Sequence, residues 1–427
     1  MSTTDDAALT VDQLDRRGRT SHEVYTAGFY DGDRDFTVRS LLGKSTRGGT
    51  DIGEVLATVA GVGSKDNEGW FAAWVALGDR IAGVAESSAQ RGHPVSAARA
   101  YLRAANYYAT AVNAVSALDE GTDRLLPTFR KHRAAWEGFL ANTRWPVARI
   151  DIPFEGSSMP GWFFRPDTSD AVRKTLVMTL GSDEAITGLW NQGVEGGLER
   201  GYNVVLYEGP GQQSMLFERG VPFRPDWENV LTPVVDHLLT RDDVDLGKLA
   251  LYGVSQGGYW VPRALAFEHR FAAAIADGGV VDVSRTWTRN IPHHLLAAYQ
   301  RGDKERFDKE MGWAFHLPGT RAAKLTWNFR SRPYGVSGYS EALDAVAQYD
   351  LTAVADRIRT PLYVIDVDGD QFFGGQPAEL AALVPGSTYA RFTQAEGASF
   401  HCQPMARELT EQRMFDWLDE QIADERG

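Results

Sequence analysis

The spacing of hydrophobic positions changes once along the chain, near residue 147. Before that point the period is helical. In the run Glu68 to Leu77, Trp70, Trp74 and Leu77 fall on one face. Val95 to Ala117 predicts a long alanine-rich helix with Pro94 near its first turn, and Tyr101, Ala104, Ala105 and Tyr108 share a face. Asp123 to Leu140 predicts another helix, and Trp145-Pro146 closes the region. No strand-like alternation occurs before Val147. The pattern predicts a polar, frayed segment over 1–21 and an all-helical region over 22–146.

From Val147 the period shortens. Val147–Phe154 and Met159–Phe164 alternate like antiparallel strands around a Gly-Ser turn. Apolar runs follow at Lys174–Leu180, Asn203–Tyr207, Leu249–Val254, Phe271–Ala276, Pro361–Ile365 and Ser387–Phe392. Helical patterns separate them: one reaching about Gly201, one over Asp226–Thr240, an irregular helical stretch over 284–357, and a closing amphipathic helix over 403–423. Strands alternating with helices imply an α/β domain over 147–427. Its sheet is expected to be mostly parallel, doubly wound and covered on both faces.

Composition narrows the class. The 427 residues carry a formal net charge of -13 and a charged fraction of 24%, which argues for a globular protein and against nucleic acid or anionic membrane surfaces as partners. One cysteine, Cys402, forbids an intrachain disulfide and fits a reducing compartment. The opening MSTTDDAALTVDQLDRRGRTS has no basic start followed by an apolar run, so a cytoplasmic location is expected. No apolar run is long enough to span a bilayer.

The chemistry centres on Leu249-Ala250-Leu251-Tyr252-Gly253-Val254-Ser255-Gln256-Gly257-Gly258-Tyr259-Trp260. It reads as strand, tight turn, helix, with a G-x-S-x-G motif at the turn. A serine there projects from the top of the sheet, and side chains at Gly253 and Gly257 would collide with the strand and helix that meet beside it. A serine hydroxyl is a poor nucleophile until a base takes its proton. His401, in the small-residue loop Glu396-Gly397-Ala398-Ser399-Phe400-His401-Cys402 after the last strand, is the candidate base. The other histidines fall on helices, in the insertion or before the fold. Three aspartates, Asp366, Asp368 and Asp370, compete to orient it. Position a few residues past the strand end favours Asp370, then Asp368; turn chemistry accounts for the others. An oxyanion hole needs two backbone donors, for which Gln256 and Ser182, in the loop Gly181-Ser182-Asp183, are the candidates. No metal-ligand spacing occurs and no cofactor is implied. Gly209-Pro210-Gly211 lacks a phosphate-loop lysine and reads as a turn. Cys402 reads as packing.

Several stretches together carry a resemblance: Glu208-Gly209-Pro210-Gly211-Gln212, Phe223-Arg224-Pro225-Asp226-Trp227-Glu228, Pro233-Val234-Val235-Asp236, the elbow Gly253 to Tyr259, and Glu396 to Cys402. Over about residues 60 to 420 the chain resembles the branch of the α/β-hydrolases that contains bacterial 2,6-dihydroxypseudooxynicotine hydrolase and fungal hydrolases that shorten heptaketide naphthopyrones. The resemblance implies an α/β-hydrolase fold capped by the N-terminal helices, cleavage of carbon–carbon bonds next to ketones, and Ser255, Asp370 and His401 as the triad. Asp183, Tyr259 and Trp227 are the substrate-side candidates. The chain departs from the branch at Gln213, where relatives usually have glycine, and at Thr187, where many have an acidic residue.

The expected activity is therefore serine-dependent hydrolysis of a small ketone- or ester-containing polyketide or aromatic metabolite, with carbon–carbon cleavage first. An esterase, lactonase or acyl-transfer tailoring enzyme uses the same residues with an oxygen leaving group. A binding protein on an inactive hydrolase fold is the third class, disfavoured because every triad position is filled. The expected partners are the small-molecule substrate and a second copy of the chain in a homodimer.

Overall fold

The computed structural model describes residues 28–30, 32–118 and 121–423. The segment expected to be frayed, 1–21, lies outside the described residues.

Helices come first, as the 3.6-residue period requires: α1 (Asp33–Gly43), α2 (Ile52–Ala60), α3 (Asn67–Gln90), α4 (Pro94–Ala114) and α5 (Thr122–Asn142). Asp51 and Asp66 cap α2 and α3 by accepting the amides of Glu54 and Gly69. Pro94 sits in the first turn of α4, where its missing N–H costs nothing. Trp70, Trp74 and Leu77 are buried together against Ala104, Tyr107 and Tyr108 in a core of their own.

Eight strands follow: β1 (Val147–Phe154), β2 (Ser157–Phe164), β3 (Arg173–Thr179), β4 (Asn203–Tyr207), β5 (Val244–Val254), β6 (Ala273–Asp277), β7 (Leu362–Val367) and β8 (Thr388–Phe392). They form one sheet in the order β1-β2-β4-β3-β5-β6-β7-β8. β1 and β2 pair antiparallel, β2 pairs antiparallel with β4, and every pairing from β4 through β8 is parallel. The hairpin turn between β1 and β2 is Glu155-Gly156, both at positive φ, rather than the Gly-Ser pair. Two successive left-handed residues match the twist of a tight hairpin.

Alternation along the strands sorts side chains between two layers. Val177, Val205, Leu251, Ala274 and Val364 face α9 (Glu228–Leu238) and α10 (Gly257–Leu265). Leu176, Met178, Ala250, Tyr252, Ile275 and Ile365 face the closing helix α17 (Arg407–Gln421). The stretch expected as one helix reaching Gly201 is broken. It runs as α6 (Ile186–Leu189), a π-turn over Trp190–Val194 and α7 (Glu195–Glu199), and Gly193 has a φ of 154°. Two short helices were not legible in the pattern: α8 (Gln213–Phe217) and α16 (Gln376–Leu383). The stretch 284–357 holds α11 (Ser284–Thr288), α12 (His293–Gln300), α13 (Lys304–Ala314), α14 (Arg321–Ser331) and α15 (Tyr339–Val346).

The N-terminal helices are welded to the sheet. Trp136 and Phe139 of α5, with Ala98 and Leu102 of α4, share one buried cluster with Trp162, Phe164 and Trp190. Trp136 stacks on Phe139 and meets Trp162 edge-on at 6.0 Å, while Phe139 meets Trp190 at 4.6 Å. Burial of such rings contributes on the order of 2–3 kcal/mol each.

Candidate active site

The serine turn is built where three strands meet. β5 lies between β3 and β6 at the centre of the sheet, and Ser255 follows its last residue. Ser255 has a φ of 58°, the left-handed region that a non-glycine residue enters only when its surroundings hold it there. They do: its amide donates to the Asp277 carbonyl at 3.0 Å, and the Gly258 amide donates to the Ser255 carbonyl at 2.8 Å. The glycines are close-approach positions. A Cβ on Gly257 would stand 2.9 Å from the Thr179 carbonyl oxygen, and one on Gly258 2.7 Å from that of Gly278.

His401 reaches this turn from the loop after β8. Its Nε2 lies 2.8 Å from Ser255 Oγ, and its Nδ1 lies 2.9 Å from Asp370 Oδ2. The other oxygen of Asp370 accepts the amides of Phe372 at 2.7 Å and Phe373 at 2.9 Å. The ring is buried, with Phe372 at 5.0 Å, Phe373 at 5.6 Å and Phe36 of α1 at 6.5 Å between centroids. The three aspartates part company. Asp366 accepts from the Tyr389 hydroxyl, and Asp368 accepts from Arg391 at 2.8 Å and the Gln394 amide at 3.0 Å.

Electrostatics follow from this burial. Burial opposes a charged His401 ring, whereas the neighbouring Cys402 sulfur and Asp370 carboxylate favour it, and the balance lies well above the ordinary imidazole range. Burial pushes the Cys402 thiol up to about 11, so it is neutral near pH 7 and the carboxylate is the anion that acts. Burial of Asp370 works against its charge, but His401 and the two amides hold its carboxyl below the usual range.

A second tier holds the histidine loop, and the sequence pattern did not reveal it. Phe400, Cys402 and Gln403 all have positive φ. Gln403 Nε2 donates to Asp277 Oδ1 at 3.0 Å. Arg407 donates to Asp277 Oδ2 at 3.2 Å, to the Cys402 carbonyl at 3.0 Å and to the Tyr252 hydroxyl at 3.0 Å. Asp277 is fully buried. The available signal was an aspartate ending an otherwise apolar strand beside the serine strand.

The oxyanion candidates flank the nucleophile. A Cβ on Gly181 would lie 2.7 Å from Ser255 Cβ and 3.2 Å from its Oγ, so the Gly181–Asp183 loop passes directly beside it. Among the described residues, neither the Ser182 nor the Gln256 amide is taken up by another hydrogen bond. The Gly209-Pro210-Gly211-Gln212 turn braces this loop: Gln212 accepts from the Gly209 amide at 2.9 Å and donates to the Leu180 carbonyl at 3.1 Å. Its Glu208 is buried against Arg133 and Ser214.

Two spaces share Ser255 in their walls. One, about 90 Å³, is walled by Trp287, Phe329, Arg330, Arg332, Tyr334 and Phe372, among others. The other, about 360 Å³, lies under the N-terminal helices and is lined by Phe36, Thr37, Ser40, Asn106, Thr110 and Asn113 together with His401. Asp183 lines both, and its carbonyl accepts from Asn113 at 3.1 Å.

Two of the substrate-side candidates line neither space. Trp227 is fully buried, stacks on Trp260 at 4.3 Å and donates to the Tyr207 hydroxyl at 3.0 Å. Tyr259 is fully buried and donates to the Pro225 carbonyl at 3.2 Å. Both belong to the buried cluster on the α9 and α10 face of the sheet, Trp227 at the start of α9 and Tyr259 against Tyr349. Gln213, with a φ of 39°, does reach the smaller space and donates to the Glu184 carbonyl at 3.2 Å. Thr187 is buried between His132 and Asn106. Among the described residues no group of His, Cys, Asp or Glu is arranged to hold a metal ion, and no helix is long and apolar enough to cross a membrane.

Comparison with known proteins agrees with this fold. The prolyl oligopeptidase family model matches residues 199–315, the segment that contains the serine turn. The structure of 2,6-dihydroxy-pseudo-oxynicotine hydrolase superposes with a TM-score of 0.70 at 20% identity, covering 90% of this chain and 96% of that one. The chain is a serine hydrolase of the α/β-hydrolase fold. In sequence, the hydrolase is similar to fungal hydrolases over nearly its whole length. The hydrolase LUC6 of a Fusarium species is 26% identical over 93% of this chain and 98% of its own. Hydrolase acrC of Aspergillus aculeatus is 28% identical over 92% and 97%. The 20-hydroxy-prefusarin hydrolase FUS2 of Gibberella moniliformis is 26% identical over 95% and 99%. These relatives fit the branch that the sequence motifs resemble.

Proposed function

We propose that Ser255, His401 and Asp370 act as a catalytic triad on a small ketone- or ester-containing metabolite, and that the reaction is hydrolytic cleavage of a carbon–carbon bond next to a ketone. The observation that carries the triad is the unbroken line of hydrogen bonds from Asp370 through His401 to Ser255 Oγ, beside two unoccupied amides. Ser255 Oγ adds to the ketone carbon as its proton passes to His401 Nε2. The Ser182 and Gln256 amides receive the oxyanion. The carbon–carbon bond then breaks, its electron pair stays with the departing enolate, and His401 returns the proton to that carbon. Water, deprotonated by His401, releases the acid from the ester on Ser255.

The bond type draws its support from two features. Structural and sequence relatives act, by their names, on a pseudo-oxynicotine and a prefusarin. The imidazole is enclosed by Phe36, Phe372 and Phe373, which keeps bulk water from the proton that the enolate must collect. The helices α1 to α5 and the insertion 284–357 serve as the two covers of this site. A homodimer in the cytoplasm is the expected setting, and light scattering checks the assembly.

The test is a product assay, read by mass, on matched panels of β-diketones and esters. Cleaved diketones with the acyl fragment carrying one added water support the reading. Turnover of esters or lactones alone, with every diketone returned intact, overturns it in favour of an oxygen leaving group.

A further inference from the structure

The smaller space beside Ser255 carries a charge arrangement that hydrolysis of a neutral ketone does not explain. Arg332, in the 3-10 turn after α14, and Arg330, in the last turn of α14, both line it. Neither makes an ion pair among the described residues. The Nε of Arg332 is buried with no hydrogen-bond partner. The two carboxylates on the same walls are engaged elsewhere: Asp183 accepts from the Ser182 hydroxyl, and Glu184 meets Lys44 at 3.5 Å and Gln192 at 3.1 Å. Aromatic rings stand against both guanidinium groups. The Arg332 guanidinium sits 5.2 Å from the Phe217 ring and 5.9 Å from Phe329, and that of Arg330 sits 5.4 Å from Phe372.

Cation–π contacts offset part of the cost of removing a guanidinium from water, but they satisfy none of its N–H donors. An unpaired buried donor on a charged group is unfavourable, and the ordinary ways to relieve it are a carboxylate of the protein or an anion of the ligand. Among the described residues no carboxylate of the protein pairs with either arginine. Burial alone lowers the Arg332 pKa, with no compensating acid.

We propose that Arg332, assisted by Arg330, is the subsite for a planar, two-oxygen anion on the substrate, which sits in the smaller space while the bulk of the molecule occupies the larger one. This rests on the serine-hydrolase reading of Ser255. A guanidinium matches such an anion with two parallel N–H donors. The space of about 90 Å³ is the smaller of the two and suits the anionic arm, and the space of about 360 Å³ under the N-terminal helices suits the body of the molecule. Two sources share this chemistry: a carboxylate, and the enolate of an acidic 1,3-dicarbonyl. The first makes the anion a handle remote from the scissile bond; the second puts the cleaved group itself against the arginines.

The experiment is protection of Ser255 from a fluorophosphonate probe in the full-length protein near neutral pH. The competitors are 4-phenylbutyrate and its neutral counterpart 4-phenylbutyramide, and 2-acetyl-5-phenylcyclohexane-1,3-dione, whose enolate holds two oxygens on one side, and its neutral O-methyl enol ether. At least one anion is expected to protect at about tenfold lower concentration than its neutral counterpart, and Arg332→Gln is expected to abolish most of that gap. Protection by the carboxylate alone assigns a carboxylate handle, by the dione alone an enolate, and by both a general planar-anion subsite. Equal protection by each anion and its neutral partner in the unaltered protein overturns the proposal, as does a gap that both Arg332→Gln and Arg330→Gln leave intact. Should Arg332→Gln fail to fold, the comparison in the unaltered protein, together with Arg330→Gln, still decides. If Ser255 takes no label even without competitor, it is the serine-hydrolase reading that fails.

Discussion

Asp370 holds His401 with one carboxylate oxygen while its other oxygen is fastened to the amides of Phe372 and Phe373. The carboxylate cannot rotate without losing two backbone bonds, so the imidazole is held in one orientation, with Nε2 toward Ser255. Asp368, two residues earlier, is spent on Arg391 and the Gln394 amide, and Asp366 on Tyr389.

Asp370→Asn is therefore expected to lower kcat by about four orders of magnitude, because an asparagine amide favours the wrong imidazole tautomer. Asp366→Asn and Asp368→Asn should cost less than about tenfold, since surface pairs carry little energy. Steady-state kinetics of the three variants check this; equal losses at Asp368 and Asp370 would leave the acid unassigned.

Ser255→Ala should fold normally and lose about three to six orders of magnitude in rate. Circular dichroism and single-turnover assays read the two halves of the statement. Residual activity above a tenth would remove Ser255 from the nucleophile's role.

The raised pKa of His401 has a kinetic consequence. The base form is the neutral ring, which is populated only above that pKa. The profile of kcat/KM should thus climb with pH and level off on the alkaline side, with its midpoint above the value of an ordinary imidazole, about 6.5. Replacing Asp370 with Asn removes the counter-charge and should move the midpoint down as the plateau collapses. A midpoint at or below that ordinary value in the unaltered enzyme would contradict the electrostatics described here.

Gly181→Ala tests the loop beside the nucleophile. The added methyl would stand 2.7 Å from Ser255 Cβ and 3.2 Å from Oγ, so either the serine or the Ser182 amide must move. A fall in kcat of about 10²- to 10³-fold is expected, comparable with losing an oxyanion donor. Thermal unfolding run alongside separates this from loss of the fold; kcat within threefold of the parent would place the oxyanion donors elsewhere.

Trp136→Ala probes how the N-terminal helices are joined to the sheet. Its ring is fully buried among Phe139, Trp162 and Phe164, so truncation should destabilise by about 3–5 kcal/mol. Because that cluster also contains sheet residues, the protein should unfold in one transition, by denaturant titration with two probes. Separate transitions would show that the helices fold on their own.

Local rules were enough to read much of this protein from its residues alone. The 3.6-residue spacing of Trp70, Trp74 and Leu77, and the apolar runs ending at Leu180, Tyr207, Val254, Ala276 and Ile365, depend only on burial of one face or both, and that dependence is written position by position. The serine turn was legible for the same reason: Gly253, Ser255 and Gly257 answer a steric demand within five residues. Tertiary structure alone decided the rest. Position past the strand end already favoured Asp370, but only the fold supplied the reason, by bringing the distant His401 loop against it and not against Asp366 or Asp368. It turned Trp227 and Tyr259 inward, and it brought Arg332, Phe217 and Ser255, far apart in the chain, to a single space. It also buried Arg407 against Asp277, 130 residues away. Pairings of that kind cost chain entropy to form, and no short stretch of sequence records which partner will be waiting.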